Sequence, residues 1–511
     1  MKKITITGKS LIGKSFEPYK LKTFETKAEA EIGFGIHRVK YNGKTRYIPI
    51  VPADSVLASP CIVKKLNEQE YALGFDNDYE NWTGMNYRNY YKTSDDFSAY
   101  NTEANVIKMD GMYANCFRLE SVNNIKIPYE ISSVCTFRSM FRGCTSLKTI
   151  DLSGIKARRI KDLSEMFEEC FNIESVILEN LQTRHVTNFS FMFKNCYKLK
   201  SLDLSKLDVS YKCTSLGGMF KNCYSMESLK IGNWNTENCL GFGSMFENYG
   251  VYSKKKQLID LSSFDFKNAE STAKMFKNAN VDFIVGEKFF HTSNCKYMNE
   301  MFDGFIGNII PRNIGSYTSP ILNKTFKQTI YTAFDYSSVI DASFLFRGTH
   351  PSNSIVLVEP NKFAQGLVFH IPTFKNSSSM EGMFEDTSDV DYYDVYFYNT
   401  PQLTSLFNHT SAYSIRLRNI DTRSFSSYEQ NMSRMFANCK YLKYIIIDDT
   451  EFKFKLVEDI LADLHKDTKI IVPRIMINVY KTKDFWKNHT QRFIAMEDCD
   501  IELGYVKSAP N

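Results

Sequence analysis

The sequence predicts an α/β solenoid, and two regularities lead to that fold class. A short apolar pair, usually Met-Phe, returns along the chain at intervals near 26 residues. A fixed period between about 20 and 50 residues is typical of a solenoid, in which each unit packs on its neighbours. Within each unit the apolar spacing first fits a helix and then a strand. The pairs begin at Met112, Met140, Met166, Met192, Met219, Met245, Met275, Met301, Leu345, Met383, Leu406 and Met435.

The predicted helix surrounds the Met-Phe pair. Counting from the methionine, apolar residues stand at −6, −3, 0, +1, +4 and +7, and this spacing places them on one face of a helix of about three turns. In one unit these residues are Val186, Phe189, Met192, Phe193, Cys196 and Leu199.

The predicted strand follows the helix, because the apolar positions then alternate at +10 and +12. Leu202 and Leu204 are an example, with Ser201 and Asp203 expected on the outer face of the strand. A unit of one helix and one strand cannot bury its apolar face alone. We therefore expect the units to stack, with a parallel sheet along one side of the solenoid.

The repeat resembles that of BspA-like leucine-rich-repeat surface proteins over roughly residues 100–497. The resemblance lies in MFRGCTSLKTIDLS from Met140, in MFKNCYKLKSLDLS from Met192, and in the closing stretch IIVPRIMINVYKTKDFWKNHTQRFIAM from Ile470. It implies a right-handed leucine-rich-repeat-like solenoid and a role in adhesion or in protein and glycan recognition. It brings no catalytic residues to this chain.

Three domains are expected along the chain. Residues 1–100 lack the repeat and are predicted to form a β-rich N-terminal cap or attachment domain, because Asn42-Gly43 separates two strand-like segments in the manner of a hairpin. Residues 101–450 are the repeat solenoid.

Residues 451–511 are predicted to form an α/β C-terminal capping module. The expected elements are a helix at Leu456–Lys466, a strand that begins at Lys469 and a helix that carries Trp486. The end repeats of a solenoid expose a core face, so caps of this kind are needed.

Composition and charge exclude several classes of function. A net charge of +5 over 511 residues is too dilute for nucleic-acid binding, and no apolar stretch is long enough to predict insertion into a membrane. The first thirty residues carry scattered lysines and no apolar core, so we expect no Sec signal peptide.

Cysteines recur at position +4, where we expect them to be small buried residues of the core. The helices of stacked units should lie roughly 10 Å apart, beyond the Cα separation of about 7 Å that a disulfide tolerates. There is no CxxC motif and the histidines are scattered, so neither a metal site nor any other cofactor is expected.

One motif offers a different function. Residues Gly8 to Ser15 match GxxxxGKS, the phosphate-binding loop of many nucleotide-binding proteins. Such a loop must continue into a helix, and Pro18 would interrupt that helix. A loop between strands is therefore favoured, with a P-loop nucleotide-binding protein as the alternative.

The candidate binding surface lies on the late repeats, where strand alternation places aromatic and charged side chains on the outer face. Exposed tyrosine beside arginine is typical of interaction surfaces. The alternative is that the tyrosines pack under a loop. The candidate ligand-binding residues are Tyr392, Asp394, Tyr396, Tyr398, Arg416 and Arg418.

No catalytic motif of known type occurs, so the sequence predicts a non-enzymatic recognition and assembly protein. We expect it to be associated with a virion, as a bacteriophage structural or adhesion protein, because such a protein needs no signal peptide. The alternatives are a cell-surface adhesin exported without a classical signal and a cytoplasmic protein. Expected partners are other subunits, a host surface receptor, a surface glycan or further copies of the chain.

Overall fold

The structure is a computed structural model. It describes residues 35–41, 44–50, 61–65, 71–75, 106–108, 110–111, 113–115, 119–122, 134–153, 155, 159–255, 257–286, 291–310, 316–318, 325–327, 336–349, 355–359, 362–370, 379–388, 390–396, 403–419, 432–452, 460–461, 464–483, 486–502 and 504–510. The GxxxxGKS motif of residues 8–15 lies outside these ranges.

The chain divides into two compact units. The first comprises residues 1–239 and 249–255, and the second comprises residues 240–248 and 256–511. In each unit the repeats stack as a β-rich solenoid. The three-domain division expected from the sequence stays a prediction.

The strands of the first unit form two hairpins and three parallel groups. β1 pairs antiparallel with β2, with Tyr41 opposite Lys44, which confirms the predicted pairing of these two segments, and β3 pairs with β4 in the same way. The parallel groups are β5-β7-β9, β6-β8-β10 and β11-β12. The strands are β1 (Gly35–Tyr41), β2 (Lys44–Ile50), β3 (Cys61–Lys65), β4 (Tyr71–Phe75), β5 (Val106–Lys108), β6 (Ser121–Val122), β7 (Val134–Thr136), β8 (Thr149–Asp151), β9 (Ile160–Asp162), β10 (Ser175–Ile177), β11 (Ser201–Leu204) and β12 (Ser228–Ile231).

The second unit contains β13 (Leu258–Asp260), β14 (Asn280–Val285), β15 (Ile306–Ile310), β16 (Ser316–Thr318), β17 (Thr325–Lys327), β18 (Ile355–Glu359), β19 (Lys362–His370), β20 (Tyr392–Tyr396), β21 (Ser414–Arg418), β22 (Tyr444–Ile447), β23 (Lys469–Val472), β24 (Phe493–Ala495), β25 (Asp500–Glu502) and β26 (Tyr505–Ser508). The strands from β19 to β24 form a parallel sheet with β18 antiparallel at its edge, and β13-β14-β15 is also parallel. Antiparallel pairs are β16-β17 and β25-β26.

The Met-Phe segments are turns, so the helix predicted for each repeat is wrong. The residues at −1 and +3 have left-handed backbone angles, as Phe191 and Asn195 do with φ of 59° and 65°. An L-residue in a right-handed helix cannot adopt this conformation without breaking the helix. Two of the five residues from −1 to +3 are left-handed, so the chain changes direction within this segment. The apolar spacing had instead predicted a helix of about three turns.

Backbone hydrogen bonds explain why the turns stack. Alternate N–H groups donate to the next repeat, so the amide of Phe193 donates to the carbonyl of Met219 at 2.9 Å, while the intervening amide of Met192 closes its own turn on Phe189 at 3.2 Å. The same alternation recurs in both units, for example from Phe276 to Met301 at 2.8 Å. Each turn thus provides hydrogen-bond partners for the backbone of its neighbour.

The side chains predicted to be buried are buried, although the backbone that carries them differs from the prediction. Met192, Phe193 and Cys196 are each 0% exposed. The aromatic ring at +1 packs against the ring of the next repeat, and such pairs contribute about 0.5–1.5 kcal/mol beyond simple burial. In the first unit the stack is Tyr113, Phe141, Phe167, Phe193 and Phe220 at 4.9–5.9 Å, and in the second it is Phe246, Phe276, Phe302, Phe346, Phe384, Phe407 and Phe436 at 5.2–6.1 Å.

The +4 cysteines have a polar role that the sequence did not indicate. The thiol of Cys196 donates to the carbonyl of Phe167 at 3.3 Å, and that of Cys439 donates to Phe407 at 3.0 Å. A cysteine at this position therefore donates a hydrogen bond to the backbone of the preceding turn and also fills space in the core. The described cysteines are free thiols.

Strand alternation follows the prediction in β11 of the first unit and in β13 of the second, and it departs from the prediction in β22. Leu202 and Leu204 of β11 are buried, and the intervening Asp203 is exposed. In β22, by contrast, the consecutive residues Ile445, Ile446 and Ile447 are all buried. Both faces of the second unit's sheet are therefore covered at this point.

The C-terminal residues supply the cover. A helix, α1 (Arg474–Thr482), follows β23, and Trp486 lies in a 3₁₀ segment, Trp486–Arg492, where an α-helix was expected. A second 3₁₀ turn, Met496–Asp498, leads into the β25-β26 hairpin. Part of the helix expected at Leu456–Lys466 lies outside the described residues. The capping role of this region and the hand of the solenoid stay predictions.

Candidate functional site

The predicted binding residues lie on two adjacent strands of the second unit. Parallel pairing sets Tyr392 of β20 opposite Ser414 of β21, and Asp394 opposite Arg416. The backbone of Tyr396 ends β20, and Tyr398 lies outside the described residues. The strand order places Arg416 and Arg418 beside the β20 residues, as the sequence predicted.

The exposure expected of Tyr392 and Asp394 is wrong, since their side chains are 0% and 2% exposed. The β25-β26 hairpin covers Tyr392, and the guanidinium of Arg418 lies against Asp394. Gly504 lies against the ring of Tyr392, so closely that an added Cβ would come within 3.0 Å of it, and the hydroxyl of Ser414 donates to the carbonyl of Gly504. The ring centroid of Tyr505 lies 6.0 Å from that of Tyr392. A binding role for the six residues stays a prediction.

The charged side chains of these strands neutralise one another. Arg418 donates through Nε and Nη2 to the two carboxylate oxygens of Asp394, at 2.6 and 3.0 Å, and through Nη1 to Asp448 at 2.6 Å. Arg416 donates to the same oxygen of Asp448, at 2.6 and 3.0 Å. Two guanidinium groups thus share two carboxylates in a half-buried network.

This network is suited to holding strands together. Burial lowers the pKa of Arg418, but its hydrogen bonds to Asp394 and the charges of Asp394 and Asp448 outweigh that effect and leave the pKa raised. Arg418 therefore stays charged, and donors of both arginines are already engaged by carboxylates. Since the side chains of Arg416 and Arg418 are only 13% and 14% exposed, the geometry offers a ligand little access to them.

A different row of aromatic side chains, two exposed and two half-buried, lies at the surface of the first unit at positions that the sequence did not lead us to predict. We call it the aromatic ladder, and it consists of Phe171, Tyr197, Tyr224 and Tyr252. Successive ring centroids lie 5.0, 5.3 and 5.3 Å apart. Tyr197 is 36% exposed and Tyr252 is 70% exposed.

The turns position this ladder. Phe171, Tyr197 and Tyr224 each stand one residue after the buried +4 cysteine of their repeat, so the thiol side of the turn faces the core and the next side chain faces outward. The amide of Tyr252 donates to the carbonyl of Tyr224 at 2.9 Å, which brings the fourth ring into line. Recurrence of an aromatic residue at +5 was the signal available in the sequence.

Charged side chains lie close to the ladder residues in the sequence. Exposed lysines follow the ladder residues at 198, 200, 254 and 255, against glutamates at 174 and 227. Within the described ranges, no three His, Cys, Asp or Glu side chains come together as a metal site would require. Nor does any helix in the part of the chain that the structure describes have the length and apolar character needed to cross a bilayer.

These features define a repeat protein whose stacked turns carry an exposed aromatic row. A family profile described as "Mycoplasma protein of unknown function, DUF285" matches residues 81–202, 161–283, 203–309, 250–357 and 317–450. The matches together span most of the chain, so the protein belongs to this DUF285 repeat family. A comparison with curated proteins gave no match.

Proposed function

We propose that the protein is a non-enzymatic recognition protein, similar in role to BspA-like surface proteins, that binds a partner macromolecule through the outside of its solenoid. The observation that supports this is the aromatic ladder of the first unit. Burial of large aromatic side chains is the usual source of energy in a solenoid, yet Tyr197 and Tyr252 remain accessible. Tyrosine is enriched where proteins bind one another.

The proposed place of action is an outer surface, either of a virion or of a cell, with partner proteins, a surface glycan or other copies of the chain as ligands. Repetition suits this role because stacked units hold side chains at a fixed spacing over a long face. Membership in a repeat family supports the architecture on which the proposal depends. A nucleotide-binding protein that uses Gly8 to Ser15 remains the alternative.

Localisation tests the proposal directly. An antibody against the protein would be applied to a source culture separated into density-purified particles, intact cells and cytosol, with and without protease treatment of the intact cells. We expect the protein in the particle fraction, or on cells in a form that the protease removes. Recovery in the cytosol alone, protected from protease in intact cells, would contradict a surface role.

A further inference from the structure

The spacing of the aromatic ladder restricts what can bind it. Neighbouring centroids are 5.0–5.3 Å apart, whereas a planar group inserted between two rings needs about 7 Å, twice the van der Waals separation of about 3.5 Å. The rings therefore occupy one another's facing sides. A nucleic-acid base therefore cannot stack between two neighbouring rings of the ladder, because stacking needs free ring faces.

What the ladder presents to solvent is chiefly the ring edges and hydroxyls of Tyr197 and Tyr252, since Phe171 and Tyr224 are half-buried. The edge of an aromatic ring carries the positive part of its quadrupole, and the face carries the negative part. Phe171 and Tyr197 are nearly parallel, at 8°, and the two tyrosine pairs that follow are tilted by 40° and 35°. Such a surface attracts anionic groups rather than cations, and its hydroxyls can donate hydrogen bonds to them.

The lysines beside the ladder also attract anionic groups. Lys198, Lys200 and Lys254 are exposed and make no ion pair among the described residues. Glu227, by contrast, is already held by Lys255 at 3.0 Å, and this hydrogen bond lowers the pKa of Glu227. Of the two glutamates Glu174 stays exposed, so three lysines face one carboxylate and the accessible charge along the ladder is mainly positive.

We propose that the aromatic ladder binds an acidic segment of a partner protein, rich in Asp and Glu and extended across the four rings. The proposal rests on the proposed recognition function and names its partner class. The ring contour of about 16 Å corresponds to roughly five residues of extended chain at about 3.3 Å each. Carboxylates of the segment meet ring edges, tyrosine hydroxyls and the ammonium groups of Lys198, Lys200 and Lys254.

The probe is a fluorescein-labelled peptide of about ten alternating Asp and Glu residues, long enough to cross the ladder. Its binding to the full-length protein is followed by fluorescence anisotropy at low and at physiological salt. We expect saturable binding that weakens as salt rises, because the contacts are largely ionic and exposed. A peptide with Asn and Gln in place of the acids should not bind.

Variants locate the site. Tyr252→Ser and Lys198→Glu should each weaken peptide binding roughly fivefold or more, as expected for residues of a small interface. The matched controls are Tyr211→Ser and Lys206→Glu. Tyr211 is 57% exposed, against 70% for Tyr252, and its ring is flanked by Lys212 at 5.9 Å. Both controls should change binding less than about twofold. Thermal melting by circular dichroism confirms folding of each variant.

Three results would overturn the proposal. One is absence of peptide binding at low salt, and another is equal loss in ladder variants and controls. The third is tighter binding of single-stranded DNA or heparin than of the peptide, lost in the same ladder variants. Failure of the broader function is distinguishable, because a protein confined to the cytosol could still bind the peptide through Tyr252. Conversely, a surface-located protein with no peptide binding keeps its recognition role and loses this partner.

Discussion

The ring of Phe191 occupies the space in which a side chain at Gly218 would stand. A Cβ built on Gly218 would lie 2.3 Å from the Phe191 ring, and Gly218 has a left-handed φ of 61°. Both residues hold the −1 position of their repeats. The second unit repeats the arrangement, where a Cβ on Gly382 would lie 2.4 Å from the ring of Phe344.

Gly218→Ala should therefore destabilise the protein by about 2–4 kcal/mol, from the left-handed backbone and from crowding against Phe191 together. Urea unfolding measures the change. In a Phe191→Ala background the same substitution should lower the free energy of unfolding by less. The strain of the left-handed backbone remains there, but the crowding against the ring does not. Equal costs in the two backgrounds would show that the ring does not cover Gly218.

The buried turn core gives a second prediction. Met192→Asp places an unpaired charge among side chains that are 0% exposed, which should lower the free energy of unfolding by several kcal/mol. Phe193→Ala removes one ring from the stack and should cost about 3–5 kcal/mol. The exposed control Lys206→Ala should shift the urea midpoint little. Comparable shifts for all three would refute the burial assigned to this repeat.

The Arg418–Asp394 pair distinguishes a covered network from an exposed binding surface. Asp394→Ala should destabilise the protein by about 3–5 kcal/mol, because it leaves a half-buried guanidinium without its bidentate partner. Lys230→Ala removes an exposed pair with Asp203 and should cost less than about 1 kcal/mol. If thermal melting of Asp394→Ala matched that of Lys230→Ala, the Arg418–Asp394 pair would be as exposed as the surface pair.

Cysteine burial predicts a dependence of stability on alkaline pH. Burial raises the pKa of Cys439 to about 12, so its contribution to stability is full below the unfolded pKa of about 8.5 and is lost as pH rises towards the folded value. Between about pH 7 and about pH 10.5, wild type should lose more stability than Cys439→Thr. Threonine occupies this position in other repeats, as at Thr349 and Thr387. Parallel losses in urea unfolding would argue against a buried thiol.

The nucleotide-binding alternative can be tested in solution. Since Pro18 should interrupt the helix that a P-loop requires, calorimetry with Mg-ATP or Mg-GTP should show no binding heat. Lys14→Ala should leave stability unchanged. Micromolar binding that disappears in Lys14→Ala would favour a nucleotide-binding protein over the recognition function.

The repeat, its length and its buried positions could be predicted from the sequence, but the turn conformation could not. Apolar residues at −3, 0, +1 and +4 point inward in a stack of turns as they do in a helix. Asn195 and Gly143 at +3 hinted at left-handed backbone, which Asn and Gly tolerate. Glu169, with φ of 64° at the same position, shows that residue type alone does not decide it, because hydrogen bonds between repeats do.

The exposure predicted for Tyr392 and Asp394 is wrong because of contacts that the periodicity of the sequence cannot reveal. Strand alternation placed Tyr392 and Asp394 on the outer face of their sheet, and the strand order beside Arg416 and Arg418 follows the prediction. The cover over Tyr392 comes from Gly504 and its hairpin, far along the chain and outside the repeat. A covering segment of this kind shows no periodic signal in the sequence.

The hydrogen bond from the amide of Phe193 to the carbonyl of Met219, at 2.9 Å, offers the most direct test of the stacked turns that support both the core and the aromatic ladder. Scalar coupling across hydrogen bonds can be measured by NMR on deuterated protein labelled with ¹⁵N-Phe and carbonyl-¹³C Met. The turn stack predicts couplings from Phe193 to Met219 and from Phe167 to Met192. Their absence, together with coupling from Phe193 to the carbonyl of Phe189 in a Phe-carbonyl-labelled sample, would restore the helix and contradict the account.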